Sequence, residues 1–506
     1  MRARLVAAAL GVAVLAAPSA THAMDAEVTG DVAAQFYDVR SPTGENILLR
    51  RRLTTTLGVS AYDLVDRAEG DVMAPELSFR ARVRYDADYG VNSGEVTPSN
   101  AGSFVPGVSQ GLVDLMYAYV EGRRFFKGWM GFKLGRQYVT DALGWWSFDG
   151  AEVSATTPYF LKAEVYGGFE QRGGMPLSTS RYETDGVWRG DRSGFDPSTA
   201  PAFQPAALAP AVGVALESTG VTWLHGRLTY RRVYDTGASN LTEFASGTYA
   251  PAQYTGGRIS SEKVGYSVDA NAPNLGGVKA GIVYDVYDTE VSNIYATVDA
   301  YAGKKVTLSA DYDYYVPTFD ADSIWNFFAG EPMNDVGLRA NVNATDHLSV
   351  AGGAHVRVFN VQTSDMNPGG GAAYAPYPNF AGNLYPSNGH PFDEGGNLSA
   401  RWRRGATLVT LRGSGSFGDE GDRVGADVYA QHVFENRYIT SLRTGVWNWD
   451  DKLEPDRSAT SVNYVAGLGY RFADRTKAIV EWEQDINGVV GNRFRLMVWF
   501  TVAVSK

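Results

Sequence analysis

Hydrophobic and polar residues alternate with a period of two along most of this chain. The pattern is clearest near the C-terminus, where Phe494, Leu496 and Val498 share one face and Arg493 and Arg495 share the other. Successive side chains of a β-strand point to opposite faces, so such a segment predicts a strand with one apolar and one polar face. About 22 segments of this kind follow one another, each roughly 10–13 residues long, which exceeds the ~5–6 residues usual for strands of globular proteins.

The connections between these segments alternate between very short turns and long links. We expect the long links at 87–110, 172–214, 236–257, 317–333, 360–392 and 449–459. After the second of these we expect a strand at 215–224 and a turn at His225-Gly226. A soluble β-sandwich or propeller would also alternate. Long strands, a polar face of small and charged residues, and connections that are short and long in turn are instead typical of a transmembrane barrel.

The predicted fold class is therefore all-β: a transmembrane, antiparallel, up-and-down β-barrel of about 22 strands, within a range of roughly 18 to 24. An even number of strands places both termini on the periplasmic side, and the long links then fall on the outer side. In hydrocarbon every backbone N–H and C=O needs a partner, and only a closed sheet has no free edge. We expect one barrel domain over residues 24–506, with its apolar face toward lipid and its polar face toward a lumen.

The N-terminus has the features of a signal peptide over residues 1–23. An apolar run extends from Leu5 to Ala17 behind two arginines, and Thr21-His22-Ala23 forms a small-residue cleavage site. The run is too short to span a bilayer as a helix. We therefore expect export, cleavage after Ala23 and localisation in the outer membrane.

Composition and charge exclude several classes of protein. The 506 residues include no cysteine, so the chain has no disulfide framework, no cysteine-ligated zinc and no CxxCH haem attachment. The formal net charge of −11 argues against nucleic-acid binding. We expect no cofactor and no metal site.

The chain resembles the outer-membrane porin-like β-barrels of Gram-negative bacteria in its signal peptide, strand length, asymmetry of connections and C-terminal amphipathic strand. The string Leu134-Gly135-Arg136-Gln137 also looks like turn-proximal strand sequence of several porin families. The resemblance covers the whole mature chain and implies a lipid-embedded channel. One feature departs from the family pattern, because such proteins usually end on an aromatic residue. Here the last aromatic is Phe500, and the chain continues beyond it.

Charged residues on the polar faces are the candidate functional residues, because they would line the lumen. Arg80, Arg82 and Arg84 alternate with apolar neighbours and form one inward row. The predicted basic lining comprises Arg52, Arg80, Arg82, Arg84, Arg339, Arg357, Arg401, Arg403, Arg412, Arg443, Arg471, Arg493 and Arg495. The predicted acidic lining comprises Asp269, Asp285, Asp299, Asp311 and Asp313.

The two sets of charges are separated along the chain. The acidic positions fall on adjacent segments near the middle, and the basic positions fall mainly near the two ends, which meet in a closed barrel. This arrangement predicts one acidic and one basic wall, with a transverse field that would orient polar solutes. The alternative is ordinary lumen charge neutralised by cross-strand pairs, and the spacing of Glu481 and Glu483 beside Arg471 and Arg493 suits such pairs.

The leading functional hypothesis is an outer-membrane channel through which small polar or ionic solutes diffuse. The link 172–214 is a candidate for narrowing the lumen, and a plain surface loop is the alternative. A second hypothesis is a β-barrel sheath around a multihaem cytochrome partner, as in porin–cytochrome electron-transfer conduits. We do not expect an enzyme, because the sequence contains no nucleophile elbow, HExxH or phosphate-binding loop, and among its histidines only His355 is expected in the lumen.

Overall fold

The computed structural model describes most of the chain as strand and short turn. The described residues are 25–40, 46–65, 71, 73–88, 112–171, 209–235, 239–245, 248–254, 258–316, 332–359, 392–419, 421–452, 457–489 and 491–505. The predicted signal peptide and most of the links expected at 87–110, 172–214, 317–333 and 360–392 lie outside these residues. Over the same ranges, no helix is both long and apolar enough to cross a membrane.

Within the described part of the chain, 22 strands form one closed antiparallel sheet. The strands of the first half are β1 (Asp25–Arg40), β2 (Asn46–Tyr62), β3 (Glu76–Asp88), β4 (Leu112–Arg124), β5 (Met130–Asp141), β6 (Gly144–Thr156), β7 (Leu161–Glu170), β8 (Pro210–Ser218), β9 (Leu224–Asp235), β10 (Ser239–Ala245), β11 (Thr248–Tyr254) and β12 (Arg258–Ala272). Those of the second half are β13 (Gly276–Asp285), β14 (Glu290–Ala302), β15 (Val306–Tyr315), β16 (Met333–Asn343), β17 (Leu348–Phe359), β18 (Phe392–Arg404), β19 (Thr407–Gly418), β20 (Gly421–Phe434), β21 (Tyr438–Asp451), β22 (Arg457–Ala473), β23 (Thr476–Asn487) and β24 (Gly491–Ser505).

The topology is up-and-down, because each barrel strand pairs with its neighbours in chain order. The first strand, β1, pairs with the last, β24, from Glu27↔Ser505 to Tyr37↔Arg495, which closes the cylinder. Strands β10 and β11 form a separate hairpin within the link expected at 236–257, so β9 pairs directly with β12. A four-residue helical turn, α1 (Phe125–Gly128), joins β4 to β5. The predicted all-β barrel of about 22 strands is confirmed.

Most connections at the end of the barrel that carries both termini are short, such as 303–305 between β14 and β15, although the link 63–75 between β2 and β3 is long. The longest links, including 171–209 and 360–391, join strands at the opposite end, where 142–143 and 419–420 are short turns. The long link expected at 449–459 is shorter than predicted, because β21 extends to Asp451 and β22 begins at Arg457.

One strand position from the sequence is wrong. The strand expected at 215–224 lies at Pro210–Ser218, and His225-Gly226 is not a turn but the start of β9, opposite Asp269 and Val268 of β12. The inner face of β8 begins with Ala211, Gly213 and Ala215. Ala211 and Gly213 follow an Ala- and Pro-rich stretch and give no amphipathic contrast, so the sequence placed them in the link 172–214.

Large apolar side chains occupy alternate positions on one face of the sheet and are exposed around the barrel. Leu468 of β22 is 68% exposed, and Leu398 and Leu442 are similarly placed on β18 and β21. Exposed aromatic side chains collect near the short-turn end, among them Trp129 and Trp223. An apolar belt bordered by aromatic residues is the outer surface of a membrane barrel.

Candidate functional site

The upper end of the barrel is the end opposite both termini. The upper halves of β5 and β6, joined by the turn at 142–143, form a hairpin that leaves the barrel wall and lies inside the cylinder. The carbonyl oxygen of Leu143, at its tip, accepts a hydrogen bond of 3.2 Å from Nη2 of Arg231 on β9. A Cβ on Gly265 of β12 would lie 3.2 Å from the Cβ of Ala142. In the barrel, β7 and β8 stand between β6 and β9. A contact that skips neighbouring strands of a curved sheet runs along a chord, so it lies on the concave side.

A row of glycines permits this bend. Gly135, Gly150 and Gly168 are direct cross-strand neighbours on β5, β6 and β7. A Cβ on Gly135 would lie 2.2 Å from the carbonyl oxygen of Ala118, and one on Gly150 would lie 2.1 Å from that of Gly167. Gly135 also has a φ of +126°, which L side chains rarely adopt. The backbones therefore approach one another too closely for any side chain, and the sheet folds inward above this row.

Aromatic packing holds the hairpin in place. Trp146 is 2% exposed and Phe148 is fully buried, and their rings stack at 4.4 Å. Both belong to a buried cluster with Tyr166 of β7 and with apolar residues of β8 and β9. The Tyr166 ring occupies the space that a Cβ on Gly213 would need, which explains the small inner residues of β8.

Polar contacts fix the hairpin further. Nε1 of Trp146 donates a hydrogen bond of 2.8 Å to Oε1 of Glu170. Oγ of Ser147 donates one of 2.9 Å to the side chain of Gln171. The guanidinium of Arg231 lies 5.1 Å above the Trp146 ring, where a cation–π attraction adds to the packing. The hairpin is therefore a built part of the lumen rather than a loose loop.

Below the hairpin, β7, β8 and β9 carry a network of ion pairs. Arg227 reaches Glu164 at 2.5 Å and Glu217 at 2.7 Å. Lys162 also pairs with Glu164 at 2.5 Å, and His225 lies 2.9 Å from Glu217. This network was not predicted from the sequence, because Glu217 was expected on a misplaced strand and His225 in a turn. The alternation of Lys162, Glu164 and Tyr166 was the signal that could have revealed part of it.

Several of the predicted lumen arginines lie beside carboxylates on other strands. Arg82 of β3 reaches past β2 to Asp31 of β1 at 2.5 Å, and Arg339 reaches Asp311 on the adjacent strand at 2.5 Å. Further pairs of adjacent strands are Arg357–Asp335 at 2.8 Å, Arg443–Asp427 at 3.2 Å, Arg493–Asp485 at 3.2 Å and Arg495–Glu483. The local charge around these arginines is thus largely compensated.

Two of the predicted acidic positions lie beside lysines. Asp285 lies 3.0 Å from Lys263, and Asp269 lies 3.6 Å from Lys279. Cross-strand ion pairs of this kind are what the alternative to two opposed charged walls requires. Asp299 instead accepts a hydrogen bond of 2.5 Å from the hydroxyl of Ser309, and Asp313 faces a like charge, Asp335, in the β15–β16 ladder.

Other predicted arginines have different surroundings. The guanidinium of Arg80 lies 5.3 Å above the Tyr62 ring. Arg52 stands opposite Gln35 of β1, Arg84 opposite Thr56 of β2, Arg403 opposite Leu408 and Arg471 opposite Lys477. Arg401 and Arg412 share a groove of about 540 Å³ with Asn341, Ser349, Thr410 and Tyr429, and its described lining contains no carboxylate.

Two further expectations concern the link 172–214 and the histidines. Residues 172–208 lie outside the described part of the chain, so the inward hairpin is the narrowing element on view. His355 stands opposite Gly395 in the β17–β18 ladder, and a Cβ on Gly395 would touch its ring. Over the described residues, no three His, Cys, Asp or Glu side chains are grouped so that they could hold a metal ion.

Comparison with known proteins places the fold. No protein-family model matches the chain, and no curated protein matches it. A ferric enterobactin receptor (PfeA) mutant of Pseudomonas aeruginosa superposes with a TM-score of 0.52 at 10% identity, covering 94% of this chain and 80% of that one.

Two further solved structures, one of them of an outer-membrane protein, are also similar. OpdK of Pseudomonas aeruginosa gives a TM-score of 0.41 at 9% identity, covering 96% of this chain and 99% of its own. OccAB2 of Acinetobacter baumannii gives 0.43 at 7% identity, covering 96% and 98%. At these identities the likeness concerns the fold, and the expected resemblance to outer-membrane β-barrels is confirmed at that level.

Proposed function

We propose that this protein is an outer-membrane channel through which small polar or ionic solutes diffuse. The observation that carries the proposal is the distribution of side chains over a closed sheet. Large apolar residues are exposed on the convex face, and ion pairs cover the concave face. The inner charges of such a cylinder need water or polar partners, and a lumen not filled by another protein therefore holds water.

The predicted arginines and aspartates would then line the water-filled lumen. Where these residues pair with carboxylates or lysines the lumen is locally neutral, whereas Arg401 and Arg412 form a positive groove. This mixture favours weak rather than strict ion selectivity. The inward hairpin around Leu143 would narrow the pore and set the size of the solutes that pass. A sheath around a folded cytochrome would need this space free, so the hairpin favours the channel over that alternative.

Planar-bilayer recordings of the purified protein test the proposal. We expect stable ohmic conductance steps and a small reversal potential in a salt gradient. Absence of conductance from a protein that is folded, as judged by its strand content and heat-dependent gel mobility, would contradict the channel.

An engineered disulfide tests the position of the hairpin. Because the chain has no native cysteine, the double variant Ala142→Cys/Gly265→Cys would contain only the intended thiols. The Cβ atoms would lie 3.2 Å apart, close to the ~3.5–4.5 Å of disulfides. We expect the bond to form during oxidative folding and to leave conductance unchanged. The two single variants are the controls, and failure of the pair to oxidise would contradict an inward hairpin.

A further inference from the structure

The seam between β4 and β5 closes only part of the barrel wall. Its ladder runs from Gly122↔Phe132 to Ala118↔Arg136, with one further bridge at Phe125↔Met130 near the short turn, and no pair follows beyond Ala118. Strand β4 continues to Leu112 alongside β3, and β5 continues to Asp141 alongside β6. Above Ala118, β4 therefore has β3 on one side, and no strand among the described residues pairs with its other side.

The parting of the two strands follows from the inward fold of the hairpin. The glycine row defined by Gly135, Gly150 and Gly168 lies at the level where the seam ends. Above this level β5 follows β6 into the lumen, and β4 stays in the wall. The result is a slit between the upper parts of β4 and β5, on the side of the barrel that carries the long links.

This slit begins within the apolar belt. Val113 is 69% exposed and Leu115 is 37% exposed, so the outer face of β4 remains apolar above the seam. A strand needs about 9–11 residues to cross the hydrocarbon layer, and the seam, which reaches only from Ala118 to the bridge at Phe125, is shorter. The upper part of β4 thus presents an edge at membrane depth.

The lining of the slit is amphipathic. The rings of Tyr117 on β4 and Tyr138 on β5 face each other across it with centroids 6.2 Å apart, and Trp145 lies 6.4 Å from Tyr138. At the base, Nη1 of Arg136 donates a hydrogen bond of 2.9 Å to the carbonyl oxygen of Leu115 and links the two edges. Backbone groups left unpaired in hydrocarbon are costly, whereas lumen water can satisfy them. Tyrosine and tryptophan suit such a boundary because each has an apolar body and a polar tip.

We propose that small amphipathic aromatic molecules pass sideways through this slit between the lumen and the outer leaflet of the membrane. The inference rests on the proposed placement of the barrel in the outer membrane. It adds a second route to the proposed axial one, for a class of solute that partitions into lipid. Rings of this kind can stack between Tyr117 and Tyr138 while their polar groups remain in lumen water.

Hydrogen–deuterium exchange in lipid nanodiscs tests whether water reaches the unpaired edge of β4. Residues 112–117 lie above the end of the seam, and 118–122 of the same strand lie within it, so the second segment is the matched control. We expect the amides of 112–117 that point toward β5 to exchange at least ten-fold faster than those of 118–122. Equal protection along the whole strand would overturn the slit.

A chemical bridge tests passage. Uptake of the uncharged probe N-phenyl-1-naphthylamine would be measured by its fluorescence, and we expect cells with the wild-type protein to exceed cells without it. Cells that express the Tyr117→Cys/Tyr138→Cys variant would be treated with a short bifunctional thiol reagent or with its monofunctional analogue. The unbridged variant should retain part of the wild-type uptake, because the opening remains although its two rings are lost, and uptake should fall to the background only after bridging.

The matched control is Tyr438→Cys/Tyr470→Cys. These rings are paired at 5.2 Å on β21 and β22, whose ladder is continuous, so a bridge there should leave uptake unchanged. Uptake that never exceeds background, or that survives bridging at 117 and 138, would overturn lateral passage. Bilayer conductance separates the two proposals. Conductance without probe uptake would contradict lateral passage alone, and probe uptake without conductance would contradict the axial channel alone.

Discussion

Two parts of the barrel share the alternation of apolar and polar residues but differ in structure. The regular wall, β18 to β24, is an even sheet in which β20 and β21 pair from Gly421↔Asp451 to Phe434↔Tyr438, along the full length of both strands. The folded wall, β4 to β9, contains the short β4–β5 seam and the hairpin that turns into the lumen. One is a plain cylinder surface, and the other is a cylinder surface that folds back on itself.

The difference lies in which side chains occupy the concave face. In the regular wall that face carries polar residues separated by lumen space, such as Arg443 beside Asp427. In the folded wall it carries Trp146, Phe148 and Tyr166, which can be buried only against another part of the same face. A barrel too wide to fill itself can thus be narrowed by placing aromatics inside and glycines at the line of folding.

The largest expected effect comes from removing the aromatic anchor of the folded wall. Trp146→Ala should cost about 3–5 kcal/mol in unfolding free energy, because it leaves a cavity and deprives Glu170 of its donor. Urea unfolding in detergent would measure this change. We also expect a larger single-channel conductance as the hairpin loosens. The control is Trp447→Ala in the regular wall, and equal effects at both sites would show that the two walls do not differ in this way.

Next in size is a charge placed on the lipid face of the regular wall. Leu468→Arg should destabilise the protein by roughly 2–4 kcal/mol in lipid, because the guanidinium would sit in hydrocarbon. Asn463→Arg on the opposite face of the same strand is the control and should cost far less. Equilibrium unfolding in lipid vesicles compares the two, and a reversed order would mean that the assigned faces are inverted.

Charge reversal beside the folded wall should change selectivity more than stability. Replacing Arg80, Arg82 and Arg84 by Glu removes three positive charges and places a carboxylate near Asp31, the present partner of Arg82. We expect the reversal potential in a salt gradient to shift toward cations. The Gln triple variant should shift it by about half as much, and an unchanged potential in both would place the row outside the lumen.

The smallest effect is expected in the groove of the regular wall. Arg401→Gln/Arg412→Gln would remove two charges from a described lining of hydroxyl, amide and apolar groups. We expect a modest fall in anion permeability, below that of the triple reversal. The Arg401→Lys/Arg412→Lys variant keeps both charges and should behave like the wild type in the same recordings. An equal fall in its anion permeability would mean that the shape of the side chains, and not their charge, causes the effect.

Sequence reasoning located the regular wall strand by strand, because its alternation is unbroken; β21, for example, was expected at 437–448 and extends over Tyr438–Asp451. It did not locate the inward hairpin, since the contact of Leu143 with Arg231 joins residues that no local period relates. The partners within each ion pair were not predicted from the sequence either. Glu483 pairs with Arg495 and Arg493 with Asp485, because the register of β23 on β24 places them opposite each other.

The ladder between β1 and β24 has a consequence for biogenesis. It joins Glu27 to Ser505, so this one pairing closes a loop that contains all the other strands of the sheet. Closing so large a loop carries the highest entropic cost of any pairing in the sheet, which makes it the slowest contact to form by chance. Until β1 and β24 meet, each of them has an edge whose backbone groups lack their strand partners.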